Sequence, residues 1–233
     1  MAGKSAIVTG SSSGIGRAIA ERLLADGWRV HGLDLAPATI THDAFAAHAI
    51  DLTDAVATDT LITMVLGTGA PGALVHCAGV TRLAPLGSLQ VTDGNLLWQL
   101  HVDATTRLAN RVVPAMQGAG TGRVVLIGSR VSAGMAGRSQ YAACKAAMVA
   151  LAKSWAAEVV TNGVTVNVIS PAATATRMLK DPARKATRPR LPPIGRFIEP
   201  AEVAALAAFL LSAEAGAITG QDIAICGGAT LRR

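Results

Sequence analysis

Short apolar runs recur along the chain, separated by longer stretches whose apolar residues follow helical spacing. Ala6 to Thr9, Trp28 to Leu33, Ala47 to Ile50, Ala73 to Cys77, Arg123 to Ile127, Val164 to Ile169 and Asp222 to Ile225 read as strands. Between them, Gly16 to Ala25, Ala55 to Leu66, a long Gly94 to Met116, Gln140 to Val160 and Pro200 to Leu211 carry helical patterns. Strands separated by helices need crossovers, and right-handed crossovers wind a parallel sheet with helices on both faces. Runs such as Ala6-Ile7-Val8, Ala73-Leu74-Val75 and Val124 to Ile127 are apolar without alternation, as expected of strands buried on both faces. The pattern predicts an α/β fold, a doubly wound parallel sheet of the Rossmann type with about seven strands.

The chain's 233 residues, 51% hydrophobic and 15% charged, suit one sizeable core and exclude a disordered chain. No composition break or internal repeat divides it, so residues 1–233 read as one domain. The net charge of +6 first suggests a polyanion partner. Seven basic residues, however, lie between Arg177 and Arg196 (Arg177, Lys180, Arg184, Lys185, Arg188, Arg190, Arg196) against one acid, Asp181, leaving 14 of each sign elsewhere. The charge therefore belongs to one Pro- and Arg-rich segment after the sixth strand, within a loop at about 172–198, and a nucleic-acid surface is not expected. Cys77, Cys144 and Cys226 have no metal-type spacing and are odd in number, which predicts neither a zinc site nor a disulfide framework and points to a reducing compartment. The first residues lack a secretory pattern, and charge-free stretches such as Thr60 to Thr81 are broken by Gly and Pro. The expectation is a cytoplasmic protein with no membrane partner and no metal.

Thr9-Gly10-Ser11-Ser12-Ser13-Gly14-Ile15-Gly16 joins the first strand to the first helix. Glycines there let the backbone turn tightly and approach a pyrophosphate, while the helix start offers free N–H groups and positive dipole. The spacing is Gly-x-x-x-Gly-x-Gly, not the Gly-x-Gly-x-x-Gly of the general dinucleotide fingerprint, and a glycine-rich turn also occurs as plain structure. Asp34, ending the second strand, is placed to accept hydrogen bonds from an adenosine ribose and would repel a 2′-phosphate, favouring NAD over NADP; a solvated loop acid is the alternative.

Tyr141 and Lys145 are four residues apart at the start of a helical pattern, so they share a face. A tyrosine titrates near pH 10 when free, at about 10 on the reference scale, and a neighbouring ammonium stabilises its phenolate for general acid–base work. Alone, such a pair also arises by chance on helix surfaces. His31, His42, His48, His76 and His101 form no ligand cluster by spacing and read as surface or packed histidines, while Trp98 and Trp155 read as core or interface.

Taken in order, the glycine turn, Asp34, Asp51, Cys77-Ala78-Gly79, Ser129, Tyr141 with Lys145, Pro171 with Thr176, and the ending Ile218-Thr219-Gly220-Gln221 to Gly227-Gly228 resemble the short-chain dehydrogenase/reductase family over essentially the whole chain. The resemblance implies that Gly10, Ser13, Gly14, Ile15 and Gly16 hold the cofactor's pyrophosphate side, that Asp34 binds ribose, and that Asp51 and Leu52 flank the adenine. Cys77, Ala78 and Gly79 stand where the family usually has Asn-Ala-Gly, so a polar side-chain contact is lost there. Tyr141 and Lys145 match the acid–base tyrosine and its lysine, which also reaches the nicotinamide ribose. Ser129 matches the serine that hydrogen-bonds the reacting oxygen, and Pro171, Thr174 and Thr176 are further cofactor positions. Asp103 stands in a helix segment where many members carry a relay asparagine; it either holds that role or is a structural helix acid. Ala172, Cys144 and Cys226 also depart from the usual residues.

The implied activity is interconversion of a secondary alcohol and a ketone by hydride transfer with NAD. Small alcohols or ketones are the expected substrates, with an anionic one left open by the basic loop, which is a mobile substrate lid in the family. Oligomers, tetramers or dimers, also follow from the resemblance. Ala78-Gly79-Val80-Thr81-Arg82 resembles a segment of 3-oxoacyl-(acyl-carrier-protein) reductases, which gives a second enzymatic reading, and Gln221 to Leu231 is similar to dihydrodiol dehydrogenases. A catalytically silent NAD-binding module is the reading from a different class; the intact Ser129, Tyr141 and Lys145 argue against it.

Overall fold

Seven parallel strands carry the molecule: β1 (Ser5–Thr9), β2 (Arg29–Asp34), β3 (Phe45–Ala49), β4 (Ala73–His76), β5 (Gly122–Ile127), β6 (Val164–Pro171) and β7 (Asp222–Ile225). The computed structural model describes residues 4–180 and 190–231. Across the sheet the order is β3-β2-β1-β4-β5-β6-β7, every pair parallel, as the hydrophobic pattern predicts. Among the described residues six helices pack around it: α1 (Gly14–Ala25), α2 (Ala55–Leu66), α3 (Val91–Trp98), α4 (Ala104–Ala119), α5 (Ser139–Val159) and α6 (Pro200–Leu210). Strand order runs outward in opposite directions from β1 and β4. That reversal sends the following helices to opposite faces and opens a crevice at the strands' carboxyl ends.

The two-residue period of each strand sorts its side chains between two cores. Ile7, Val124 and Leu126 join Ile62 of α2, Leu108 and Val112 of α4, and Met148 and Ala152 of α5. Ala6, Val8, Val125 and Ile127 join Ile19 and Leu23 of α1 and Val203, Ala207 and Leu210 of α6. Among the described residues no helix is long and apolar enough to cross a membrane. Trp155 of α5 packs partly against the first core, whereas Trp98 of α3 is 46% exposed.

Element ends shift by a residue or two from expectation, and two differences matter for packing. The third strand begins at Phe45 rather than Ala47, because pairing of Val30 with Phe45 continues to Asp34 with Ala49. The Phe45 ring occupies the space over Gly32, where a Cβ would lie 2.3 Å from it. The long helix expected over Gly94 to Met116 is interrupted: α3 and α4 are joined by a π turn, Gln99–Asp103, in which the Ala104 N–H bonds five residues back to the Gln99 carbonyl. Such a turn inserts one residue into the helical repeat and re-aims the side chains that follow, a feature frequent at functional sites.

Gly163 turns the chain from α5 into β6 with φ +73°, and a Cβ there would lie 2.3 Å from the Gly120 carbonyl oxygen. Because both the backbone conformation and the close approach of another main chain exclude a side chain, Gly163→Ala is expected to destabilise the fold by about 1–3 kcal/mol. Urea unfolding should show a lowered midpoint with an unchanged slope.

Candidate active site

At the β1–β4 crevice the glycines of the first turn serve three different ends. Gly10 has φ +69°, and a Cβ on it would lie 2.9 Å from the Ala78 nitrogen, so the loops after β1 and β4 touch backbone to backbone. Gly14 takes φ +54° opposite the Thr176 methyl group. Gly16 is buried, and a Cβ would lie 2.2 Å from the Gly10 carbonyl oxygen; it closes the turn and does not line the cavity, unlike Gly10, Ser13, Gly14 and Ile15. Ser13 caps α1 with no side-chain hydrogen bond to the helix, so its hydroxyl does not satisfy the first N–H groups of α1, of which that of Gly16 faces the Cys77 thiol. Thr9, read from the sequence only as part of this turn, is buried and accepts hydrogen bonds from the Cys77 and Ala78 N–H groups, each at 3.0 Å.

The cavity, about 940 Å³, lies at the upper end of the roughly 300–1,000 Å³ usual for a ligand pocket. Its walls divide by charge. Asp34 and Asp51 line one end with Leu52. Asp34 is held by the Ser12 N–H at 2.8 Å and the Ala36 N–H at 2.9 Å. Asp51 accepts from the Thr53 N–H and hydroxyl, which shapes the turn after β3, and Leu52 is buried beneath. The Cys77 thiol, pushed up to about 12 by desolvation, is a neutral group in the wall.

At the other end stand Ser129, Tyr141 and Lys145, with Ala78, Gly79, Pro171, Thr174 and Thr176 also along the wall. Ser129 follows β5 and caps the short 3₁₀ turn Arg130–Ala133, its hydroxyl accepting from the Val131 N–H at 3.4 Å. Tyr141 and Cys144 of α5 pack into a third, small cluster with Leu97, Val102 and Val131, which fixes the face of α5 that looks into the cavity. Lys145 is 4% exposed; its ammonium donates to the Ile127 carbonyl at 2.7 Å and lies 5.8 Å from the centre of the Tyr141 ring. Burial lowers it to about 8. A buried cation with no carboxylate partner among the described residues puts positive charge where a phenolate would form.

Asp103, in the π turn, is exposed and is not among the residues that line the cavity. His101, two residues earlier, takes the inward place: it is 1% exposed, lines the cavity and meets the Tyr141 ring edge-on at 5.5 Å. The sequence offered no sign of this, since a uniform helix puts neither residue in a known direction. His76 is likewise buried, whereas His31 and His48 stack on each other across β2 and β3 with nitrogens 3.2 Å apart.

Of the basic segment, Arg184, Lys185 and Arg188 lie outside the described residues, together with Asp181. Arg177 and Arg190 line the cavity with Arg130, and Arg196 is committed elsewhere, to Glu202 at 2.7 and 2.8 Å.

Residues 10–230 match the family model described as "Enoyl-(Acyl carrier protein) reductase". The chain is 36% identical over 237 residues to the 3-oxoacyl-[acyl-carrier-protein] reductase of Salmonella typhimurium, covering 97% of each. It is 34% identical over 244 residues to the D-threitol dehydrogenase of Mycolicibacterium smegmatis, covering 99% of this chain and 94% of that one. Ligand-free aldohexose dehydrogenase of Thermoplasma acidophilum superposes with a TM-score of 0.90 at 26% identity, over 99% of this chain and 95% of that one.

Two outcomes follow from this geometry. Lys145 releases its proton at about 8 when folded but near its ordinary 10.5 when unfolded, so between these values the unfolded chain binds more protons and stability rises with pH. In Lys145→Met that rise, worth about one proton at its steepest, should be missing from the pH dependence of unfolding free energy. Asp103→Asn should leave turnover unchanged and stability within about 0.5 kcal/mol of the parent protein, as for other exposed positions.

Proposed function

The chain belongs to the short-chain dehydrogenase/reductase family, and on that footing we propose that it interconverts a secondary alcohol and a ketone with NAD as hydride carrier. The observation that supports this reading best is the meeting of Ser129, Tyr141 and Lys145 in one cavity with the glycine turn after β1. In the oxidative direction the Tyr141 phenolate takes the proton of the substrate hydroxyl, while the hydrogen on the same carbon leaves with its electron pair. Bound nicotinamide supplies the acceptor for that hydride. Ser129 donates a hydrogen bond to the reacting oxygen and holds it in line with the tyrosine. The Lys145 ammonium, kept out of water, lowers the cost of the phenolate and gives the ribose a donor. At the opposite end Asp34, already anchored by two backbone N–H groups, presents a fixed carboxylate to the adenosine ribose. A 2′-phosphate at that place would meet like charge at close range, which favours NAD over NADP.

The substrate is read as a small polyhydroxy alcohol or its ketone, in keeping with relatives named for threitol and aldohexose oxidation. A second reading, reduction of a 3-oxoacyl thioester, draws on the relatives named as acyl-carrier-protein reductases at 34–37% identity.

Tyr141→Phe should bind NAD nearly as the parent protein does, by calorimetry, and lose about 10²–10⁴-fold in kcat, the usual share of a general acid–base group. Substantial residual turnover would remove the tyrosine from the chemistry. Parallel assays with NAD and NADP over polyols, cyclic alcohols and a 3-oxoacyl thioester decide the rest. Turnover confined to NADP would overturn the part given to Asp34, and turnover confined to the thioester would install the second reading.

A further inference from the structure

Among the described residues five arginines line the cavity, Arg82, Arg130, Arg138, Arg177 and Arg190, and the chemistry above uses none of them. The acids on the described wall are Asp34 and Asp51, both at the adenosine end. The end that holds Ser129 and Tyr141 therefore carries a surplus of positive charge, with no carboxylate among the described residues that line it. Two of the arginines are accounted for by their surroundings. Arg82 lies 3.3 Å from Asp93 and also donates to the Thr81 carbonyl. Arg177 lines, in addition, a smaller recess with Gly14 and Arg17 beside the glycine turn, where the phosphates of the proposed cofactor would lie.

Arg130 is a different case. It directly follows Ser129, so the two Cα atoms stand about 3.8 Å apart and its side chain starts beside the group that would hold the reacting oxygen. The loop that carries it is fixed. The Ser132 N–H donates to the Ser129 carbonyl at 3.0 Å and the Gly134 N–H to the Val131 carbonyl at 2.8 Å, while Val131 is buried in the third cluster with Met135 against it. Arg130 is half-buried, yet it has no hydrogen bond or ion pair from its side chain to any described residue. A guanidinium that gives up part of its hydration without an acceptor is costly, and an anion bound beside it offsets that cost. Arg138, also half-buried, closes the same loop, and Arg190 is exposed on the cavity rim. Leu96, Leu100 and Met135 make the neighbouring wall apolar, which strengthens a charge pair formed there.

We propose that the substrate is an alcohol or ketone carrying an anionic group, a carboxylate or a phosphate monoester, and that Arg130 binds this group, with Arg190 adding charge from the rim. A guanidinium offers two parallel N–H donors to either oxyanion, so both groups share one recognition chemistry. A neutral polyol brings only hydroxyl groups to the same place and leaves the charge unmet. The basic segment after the sixth strand thereby acquires a use at one point: Arg190 lies on the cavity wall, whereas Arg196 is held by Glu202. The kinetic half of this inference rests on the proposed oxidoreductase activity; the binding half does not.

Matched compounds test it: a four-carbon polyol with its aldonate and its monophosphate ester, and a cyclic alcohol with its carboxylated counterpart, each oxidised with saturating NAD or NADP. Within a set, kcat/KM should be about 10–100-fold higher for an anionic member than for the neutral one, the range of a charge-assisted hydrogen bond, and the preference should shrink as salt rises. Whether the carboxylate or the phosphate ester is favoured identifies the source of the oxyanion. In Arg130→Gln the preference should fall by about the same factor, mostly through KM. Arg130→Lys, which keeps the charge and loses the paired donors, should lie between. Equal kcat/KM within every set, or a preference that Arg130→Gln leaves intact, would overturn the proposal. Should Arg130→Gln not fold, the parent protein's preference and its salt dependence decide in the same way. Calorimetry of the aldonate and the phosphate ester against protein saturated with NADH, which keeps the cofactor's phosphate positions occupied, gives a readout without turnover. Saturable binding that weakens in Arg130→Gln supports the site; no binding, or binding that the substitution does not alter, removes it. If no alcohol or ketone of a wide panel is turned over, the proposed function fails, and the titrations still judge the anion site by themselves.

Discussion

The Thr9 hydroxyl joins the carboxyl ends of β1 and β4 at the one place where the sheet reverses its winding. A doubly wound sheet has a gap there by construction, since the connections on its two sides leave in opposite directions. With both lone pairs of that oxygen given to the Cys77 and Ala78 N–H groups, the loop after β4 is drawn against Gly10, and no side chain fits between the two backbones. The glycine turn, the wall formed by Cys77 to Gly79 and the buried edge of His76 all take their places from this contact. Asp34 is tied in as well, through the Ser12 N–H of the same turn.

The other half of the cavity depends on a different kind of order. Lys145 is a cation in a place where cations are expensive, and burial lowers it to about 8. A core built for stability alone would carry an apolar side chain there. The small cluster of Leu97, Val102, Val131, Tyr141 and Cys144 offsets part of that cost by locking α5 against the π turn and the 3₁₀ turn after Ser129. Rigidity at this point is what chemistry needs, because an ammonium helps a phenolate only at a fixed distance.

Much of this was readable from residue order. Uninterrupted apolar runs marked the strands, because a parallel sheet covered on both faces leaves no polar side to each strand. Tyr141 and Lys145 were visible because four residues is nearly one helical turn, and Asp34 because a strand end positions one residue sharply. The π turn was not legible: helical periodicity assumes a constant repeat, and nothing in Gln99-Leu100-His101-Val102-Asp103 signals the extra residue. With that insertion His101 is buried at the cavity wall while Asp103 is exposed. Nor could pairing be read from charge alone. Arg196 belongs to the basic segment by sequence and to the start of α6 by structure, where Glu202 holds it beside the Glu199 cap.

The contact between Thr9 and Cys77 spans 68 residues of chain. A growing or partly folded chain can complete the glycine turn early, yet has nothing to hold it until β4 has been made and paired. Closing so long a loop is slow compared with forming either flanking helix. The crevice therefore takes its shape only where β4 lies beside β1, and a chain lacking that pairing would not hold a dinucleotide there. Once formed, the crevice gives any bound dinucleotide leverage over the whole fold, since the ligand binds only the state in which this long loop is closed.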